Sequence, residues 1–361
     1  MKINREELLS CLTNIKPGLA TKEIIDQSTS FVFKNGKVYT FNNEIAVSHP
    51  ISKQLTGAVK ANELYTLLTR YNEEELKIET TDKEFSVKGK NSEAGIALTT
   101  EITIPIDEIG VPTKWKPLPE NFIEAVDFCH FSASRDLIQP EFTYLHIKDN
   151  HIEACDRLRF TIYKLSHDID SKPPILLPAN CAKILVDYNP IEYAVTDNWI
   201  HFMSSEKTVF SCRTGTGEYP DLSIFTNTKG KKIEFPDNFK QSLGTAEVFA
   251  SSALRGRELV KIRVLKYKTI VESMNEVGWF KEIIKTNYDG IESSFETDPA
   301  FMIKMLPVAE SITLAQNVKI KDLEGGGILE FKGKDFKHCF TTAIPKVKEG
   351  KKKGKKKGTH K

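Results

Sequence analysis

Phe33-Lys34-Asn35-Gly36-Lys37-Val38 sets a turn pair between two apolar residues, and Ile147-Lys148-Asp149-Asn150-His151-Ile152 repeats that pattern 114 residues later. Asn-Gly between alternating residues is a strong short-range hairpin signal, because both turn positions need positive φ. The same offset carries Glu6-Glu7-Leu8-Leu9 onto Glu120-Asn121-Phe122-Ile123 and Asn42 onto Asp156. One register therefore holds across a helix, a connection and a hairpin. A third copy of the opening helix stands at Asp237-Asn238-Phe239-Lys240-Gln241-Ser242-Leu243, a further 117 residues on. Self-similarity at this period means repeated domains instead of a short-repeat solenoid.

Each copy shows the same order of elements. A first helix with apolar spacing (Leu8, Leu9, Leu12; Phe122, Ile123, Val126; Phe239, Leu243) leads to a strand-rich stretch. A second helix follows at Val59-Lys60-Ala61-Asn62-Glu63-Leu64, at Leu177-Pro178-Ala179-Asn180-Cys181-Ala182, and at Asp298-Pro299-Ala300-Phe301-Met302-Ile303. In the last of these Asp298 reads as the N-cap and Pro299 as the first helical residue. Alternating segments such as Tyr193–Phe202 and Gly326–Phe331 come next. The expectation is an α+β fold of three tandem domains, each two helices packed on antiparallel sheet, with boundaries 1–112, 113–230 and 231–347.

Length and composition agree. A chain of 361 residues, 40% hydrophobic and 28% charged, supports two or three ordinary globular domains. No apolar run approaches a membrane span of about 20 residues, and Met1–Glu7 lacks the apolar core of a signal peptide, so a cytoplasmic protein is expected. Cys11, Cys129, Cys155, Cys181, Cys212 and Cys339 show no metal-type spacing and read as reduced core thiols.

Charge is unevenly spread. Residues 346–361 hold nine Lys and one Glu, and +2 overall less +8 here leaves −6 for residues 1–345. Glycine-spaced lysines cannot build a core, so composition predicts a disordered basic tail over 348–361. An acidic body argues against a generally basic surface, though not against a local basic lining.

The three domains, the run Ala154-Cys155-Asp156-Arg157-Leu158-Arg159-Phe160, the segment Gly217-Glu218-Tyr219-Pro220-Asp221 and a closing strand ending Ala343-Ile344-Pro345 together resemble the bacterial DNA polymerase III β subunit, the sliding clamp. The resemblance spans about residues 1–347; its motifs are short, so their order and spacing carry it, and its divergence suits a phage-encoded clamp. What the resemblance implies is a head-to-tail, ring-shaped homodimer with helices lining the hole and double-stranded DNA passing through it. It also implies a DNA polymerase and a clamp loader bound through short peptide motifs, no cofactor and no metal. Closure, not affinity, then keeps the ring on DNA, while phosphate contacts orient the duplex without reading bases.

By that resemblance Lys22 and Arg135, in the loops after the first helices of domains one and two, are the leading DNA contacts. Arg5, Arg70, Lys183 and Lys240, with Lys16, Lys60 and Lys304, lie on or beside the helices; each is equally well read as part of a solvated face. Where many clamps carry a basic pair, Ala179-Asn180 stands here. The family's partner groove maps to Arg159, Phe160, Pro220, Phe225, Leu254, Asp298, Phe301, Ile344 and Pro345, with Phe160, Phe225 and Leu254 alternatively core. Arg157-Leu158 replaces the usual Gly-His pair, and an aromatic replaces a smaller aliphatic at Phe225. Dimer closure would set Val248 and Phe249 against Ile102 and Ile104 of the other copy, with packing inside one subunit as the alternative.

Nothing in the sequence points to an enzyme. His146 and His151 flank a hairpin turn with no companion carboxylate in view, Gly215-Thr216-Gly217 lacks the context of a phosphate loop, and Gly325-Gly326-Gly327 reads as a turn. The same absence suits a second class, a non-ring scaffold of three binding domains recruited to nucleic acid by its tail.

Overall fold

The computed structural model describes residues 1–110, 112–156, 158–222, 229–254, 257–316, 323–324, 327–341 and 344–345, with backbone alone at 251–254, 257–258, 316, 323–324 and 344–345. Phe225, the turn at Gly325-Gly326 and the tail lie outside these residues, as do the side chains of Leu254, Ile344 and Pro345.

One order of elements recurs three times. Helix Arg5–Ile15 is followed by strands Ser30–Lys34, Lys37–Phe41 and Ile45–Pro50, then by strand Gly57–Lys60 and helix Ala61–Arg70, then by strands Glu75–Thr80, Glu84–Lys88 and Glu93–Thr99. The second round runs from helix Phe122–His130 through helix Ala179–Tyr188 to strand Val209–Arg213, and the third from helix Phe239–Glu247 through helix Pro299–Met305 to strand Phe336–Thr341. The repeated hairpins turn through Asn35 (φ 52°) with Gly36 (φ 70°) and through Asp149 (φ 50°), and a third-round hairpin turns through Tyr267 (φ 61°). A tyrosine at positive φ is a conformational cost that Asn or Gly would avoid, so the fold holds this turn against local preference.

Two of the helices start at a capping side chain. The Asn4 side chain accepts from the Glu7 N–H at 3.0 Å, and Asp298 accepts from the Ala300 N–H at 3.0 Å with Pro299 next in the first turn. Each helix buries one stripe: Leu8, Cys11, Leu12 and Ile15 in helix Arg5–Ile15, Phe239, Ser242, Leu243 and Ala246 in helix Phe239–Glu247.

The chain divides into two compact units, Met1–Arg157 with Thr161–Pro220, and Leu158–Phe160 with Asp221–Lys361. A twelve-stranded antiparallel sheet runs through the first unit, where strand Ile45–Pro50 of the first round pairs with strand Val209–Arg213 of the second (Val47 opposite Phe210). On the helical side, the Tyr188 hydroxyl donates to the Asn14 carbonyl, linking the ends of helices Ala179–Tyr188 and Arg5–Ile15. A core of Val32, Phe41, Ala46, Ala58, Ile104, Ile106, Ile109 and Trp199 fills one part of this unit.

In the second unit, strands Lys231–Ile233, Ser311–Gln316, Gly327–Lys332 and Phe336–Thr341 pair in that order, and the Thr341 N–H donates to the Leu158 carbonyl at 2.7 Å. A second sheet of this unit contains Ser251–Leu254, Arg257–Leu265, Lys268–Met274 and Trp279–Lys285, with Ser293–Thr297 against Arg257–Leu265. All six cysteines are buried and none forms a disulfide.

Candidate functional site

The basic residues separate into two groups. Lys22 and Arg135 are exposed on loops that follow the first helices, and Arg70, Lys183 and Lys240 are exposed on helices. Others are engaged within the fold. The Arg5 guanidinium is only 18% exposed; it donates to the Leu68 carbonyl at 3.4 Å and to Glu6 at 3.3 Å. It therefore ties the first helix to the end of the second, and its side chain is less open than those of the other candidate lining charges Arg70, Lys183 and Lys240. Lys60 is ion-paired with Glu23, whose carboxyl is held below its ordinary pKa chiefly by that hydrogen bond, and Lys16 lies 4.3 Å over the Tyr65 ring.

The loops that carry Lys22 and Arg135 are braced from inside. Gln27 donates to the Glu101 carbonyl at 2.6 Å and accepts from the Thr103 N–H at 3.0 Å, while Asp136 accepts from the Ile138 N–H at 3.0 Å. Both present bare aliphatics, Ile24 at 90% and Ile138 at 87% exposure, 114 residues apart in the repeat register.

Of the groove residues, the second unit brings Arg159, Asp298 and Phe301 into one neighbourhood. The Arg159 guanidinium carbon lies 3.8 Å from the centroid of the Phe301 ring, a cation–π contact between two half-buried side chains. Asp298 caps the helix that carries Phe301. Behind them His338 is fully buried, and burial, with Arg159 and Lys304 adding repulsion, lowers its pKa to about 3. Phe160 is 0% exposed, so it is core and not a groove wall: residues alternate across a strand, and Arg159 takes the open face. Pro220 is half-buried in the first unit.

The dimer residues divide likewise. Val248 is 68% exposed and Phe249 half-buried, but Ile104 is 5% exposed inside the Trp199 core, with Ile102 packed against it. Ile104 is thus a core residue of its own subunit, which corrects its assignment to the interface. Sequence reading also missed Met274, Val277, Trp279 and Ile283, all 61% exposed or more around one sheet edge. Their alternation looks like an ordinary half-buried strand; only the sheet order reveals that the strand is an edge.

His146 has the carboxylate the sequence did not reveal, since cross-strand pairing puts Glu153 Oε1 2.7 Å from its Nδ1, with the Tyr219 ring stacked 4.7 Å away. Among the described residues no three His, Cys, Asp or Glu side chains gather as a metal site would require. No helix among them is long and apolar enough to cross a membrane.

Solved structures share this arrangement over nearly their whole length. The DNA polymerase III β chain of Streptococcus pneumoniae TIGR4 aligns with a TM-score of 0.80 at 18% identity, covering 96% of this chain and 99% of that one. The putative β subunit of Eubacterium rectale gives 0.79 at 14% identity over 95% and 98%, and the Bacillus subtilis sliding clamp gives 0.78 at 15% over 96% and 99%. The chain has the fold of a bacterial sliding clamp. In sequence, the β sliding clamp of Rickettsia felis is 25% identical over 227 residues, 58% of this chain, and the match spans about three fifths (59%) of that clamp's length. No family model matches the sequence. The three rounds of elements fall within the matched part of the chain.

Proposed function

We propose that the chain is a DNA sliding clamp: two copies close head to tail into a ring that encircles duplex DNA and tethers a polymerase. The observation that carries this reading is the match of 95–96% of the chain to clamp structures that are themselves covered to 98–99%. Three domains, 1–112, 113–230 and 231–347, would each supply two helices to the inner wall. Lys22, Arg70, Arg135, Lys183 and Lys240 are the cations left open to solvent there. Contacts of this kind bind phosphates without base recognition, which suits a ring that must slide.

Partner peptides from the polymerase and the loader would dock where Arg159 and Phe301 stack, with the chain serving as a non-catalytic cytoplasmic processivity factor. Apolar anchors and an arginine are the residue types in which such recognition concentrates its energy. The test is topological. Protein assembled on nicked circular duplex by its cognate loader should survive gel filtration at high salt and be lost once a restriction enzyme linearises the DNA. Equal loss from both forms would remove the ring and leave a scaffold that binds DNA by charge alone.

A further inference from the structure

The hairpin that joins strands Arg257–Leu265 and Lys268–Met274 turns through Lys266 and Tyr267, and its tip differs from its counterpart in the first round. There Asn35 and Gly36 fill the two turn positions, with Gly36 (φ 70°) in the place that Tyr267 (φ 61°) takes here. Among the described non-glycine residues at positive φ, Tyr267 alone is aromatic. A bulky side chain at that φ is strained, so a plain connection favours Gly or Asn. The backbone of the tip is nonetheless pinned. Tyr267 donates its N–H to the Tyr288 carbonyl at 2.9 Å and its carbonyl accepts from the Thr286 N–H at 3.1 Å, while the buried Thr286 hydroxyl donates to Thr269 Oγ1 at 2.9 Å.

What this turn presents is a ring among cations. Tyr267 is 57% exposed, with Lys266 Nζ 5.3 Å from its ring centroid. Lys268 stands directly opposite Lys285 on the next strand, and both are exposed. Like charges in that position repel and weaken the pairing. Among the described residues no carboxylate lies within ion-pair distance of Lys266, Lys268 or Lys285. The acids on the adjoining segments are already held: Asp289 by Lys231 at 3.6 Å, and Glu234 by Lys232 at 3.5 Å and by Asn287 at 2.7 Å. An anion arriving at the tip therefore breaks no ion pair and relieves the repulsion between Lys268 and Lys285.

We propose that this tip binds single-stranded nucleic acid, with a base stacked on the Tyr267 ring and the flanking phosphates on Lys266, Lys268 and Lys285. The ring decides among anions. A duplex keeps its bases stacked on one another and offers the tip only phosphates, and an acidic peptide would use the lysines alone; an unpaired base on its phosphate chain uses ring and lysines together. Because the Tyr267 backbone is bonded on both sides, the ring is positioned before a strand arrives and little freedom is lost on binding. The contact tolerates any sequence, since every base has a π face. It belongs to one hairpin of the second unit and requires neither a closed ring nor the Arg159–Phe301 contact.

The test is anisotropy of a fluorescein-labelled oligothymidylate titrated with the full chain at constant salt, so that the lysine-rich C-terminal residues contribute equally in every variant. Tyr267→Gly, which restores the residue of the first hairpin, should stay folded and weaken binding about fivefold or more, whereas Tyr267→Phe should stay within about twofold of the wild type. Lys268→Glu should move stability and binding in opposite directions, raising the melting temperature by pairing with Lys285 and lowering affinity for the strand. Irradiation of a 5-iodouracil-substituted strand on the wild type should attach it to Tyr267, read by peptide mass spectrometry. A Tyr267→Gly protein that binds like the wild type overturns the proposal, as do cross-links confined to residues 346–361. A blunt duplex or a polyglutamate peptide that loses as much affinity in Tyr267→Gly as the single strand does would overturn it too, giving the tip to a different partner.

Discussion

The guanidinium carbon of Arg159 lies over the ring of Phe301, 3.8 Å from its centroid. The two come from distant parts of the sequence, yet both belong to the second unit, because Leu158–Phe160 leaves the second round of elements to join the third. A cation held on a ring keeps both side chains ordered before any ligand arrives, which lowers the entropy lost on binding. Replacing Phe301 with Ala should therefore weaken polymerase binding by about 2 kcal/mol or more. Titration calorimetry with the cognate polymerase measures this; unchanged affinity in a folded variant would move the partner site elsewhere.

Phe160 should behave differently from its neighbour. It is fully buried, and deleting a buried phenyl ring costs about 3–5 kcal/mol in transfer and cavity terms. Phe160→Ala is expected to lower the unfolding free energy by that order, while Arg159→Ala leaves stability nearly unchanged and weakens partner binding. Denaturant melts of the two variants separate these outcomes. A Phe160→Ala protein as stable as the wild type would return Phe160 to the groove.

The repeated hairpins were legible in sequence because their turns need positive φ, and Asn35-Gly36 and Asp149 announce it. The third hairpin was not, because Tyr267 carries no such signal. Helix starts were readable for the same local reason, with Asp298 and Pro299 in their expected places. Site residues were harder. Arg159 and Phe160 are adjacent, so their motif position is the same while strand alternation sends one to solvent and the other to the core. Ile104 and the Trp279 edge failed on a longer scale: whether an apolar residue is core or interface depends on which strands are neighbours, and pairing order is not written in any local pattern.

Salt dependence should distinguish the two groups of cations. For each phosphate contact removed, the slope of log K against log salt should fall by about 0.9. Lys22→Ala with Lys240→Ala is expected to flatten the slope by nearly twice that amount, because both side chains are open to solvent. Arg5→Ala should leave the slope unchanged and instead loosen the first helix from the Leu68 carbonyl it holds. Deleting residues 349–361, rich in lysine, should reduce DNA retention only at low ionic strength, where unscreened charge reaches farthest. Binding measured across a salt series for the three variants checks all of this, and a full slope change in Arg5→Ala would reverse the division.

Acid should destabilise the fold through buried histidines. His201 is 1% exposed, with Thr196 Oγ1 at 3.0 Å and Ser211 Oγ at 2.8 Å, and burial lowers its pKa from 6.5 to about 4. Between those two values the unfolded chain binds a proton that the folded chain refuses. Stability from this group is therefore complete above about pH 6.5 and falls as pH drops toward 4, by roughly 3 kcal/mol at full extent. His338, lowered to about 3, adds a loss of the same sign in the second unit that continues to lower pH. A His201→Gln variant, which keeps polar atoms in the slot but cannot be protonated, should lose part of its stability at pH 7 and yet show a smaller drop between pH 7 and pH 4.5 than the wild type. Urea unfolding at the two pH values gives the comparison, and identical drops in both proteins would mean that His201 takes up its proton without cost to the fold.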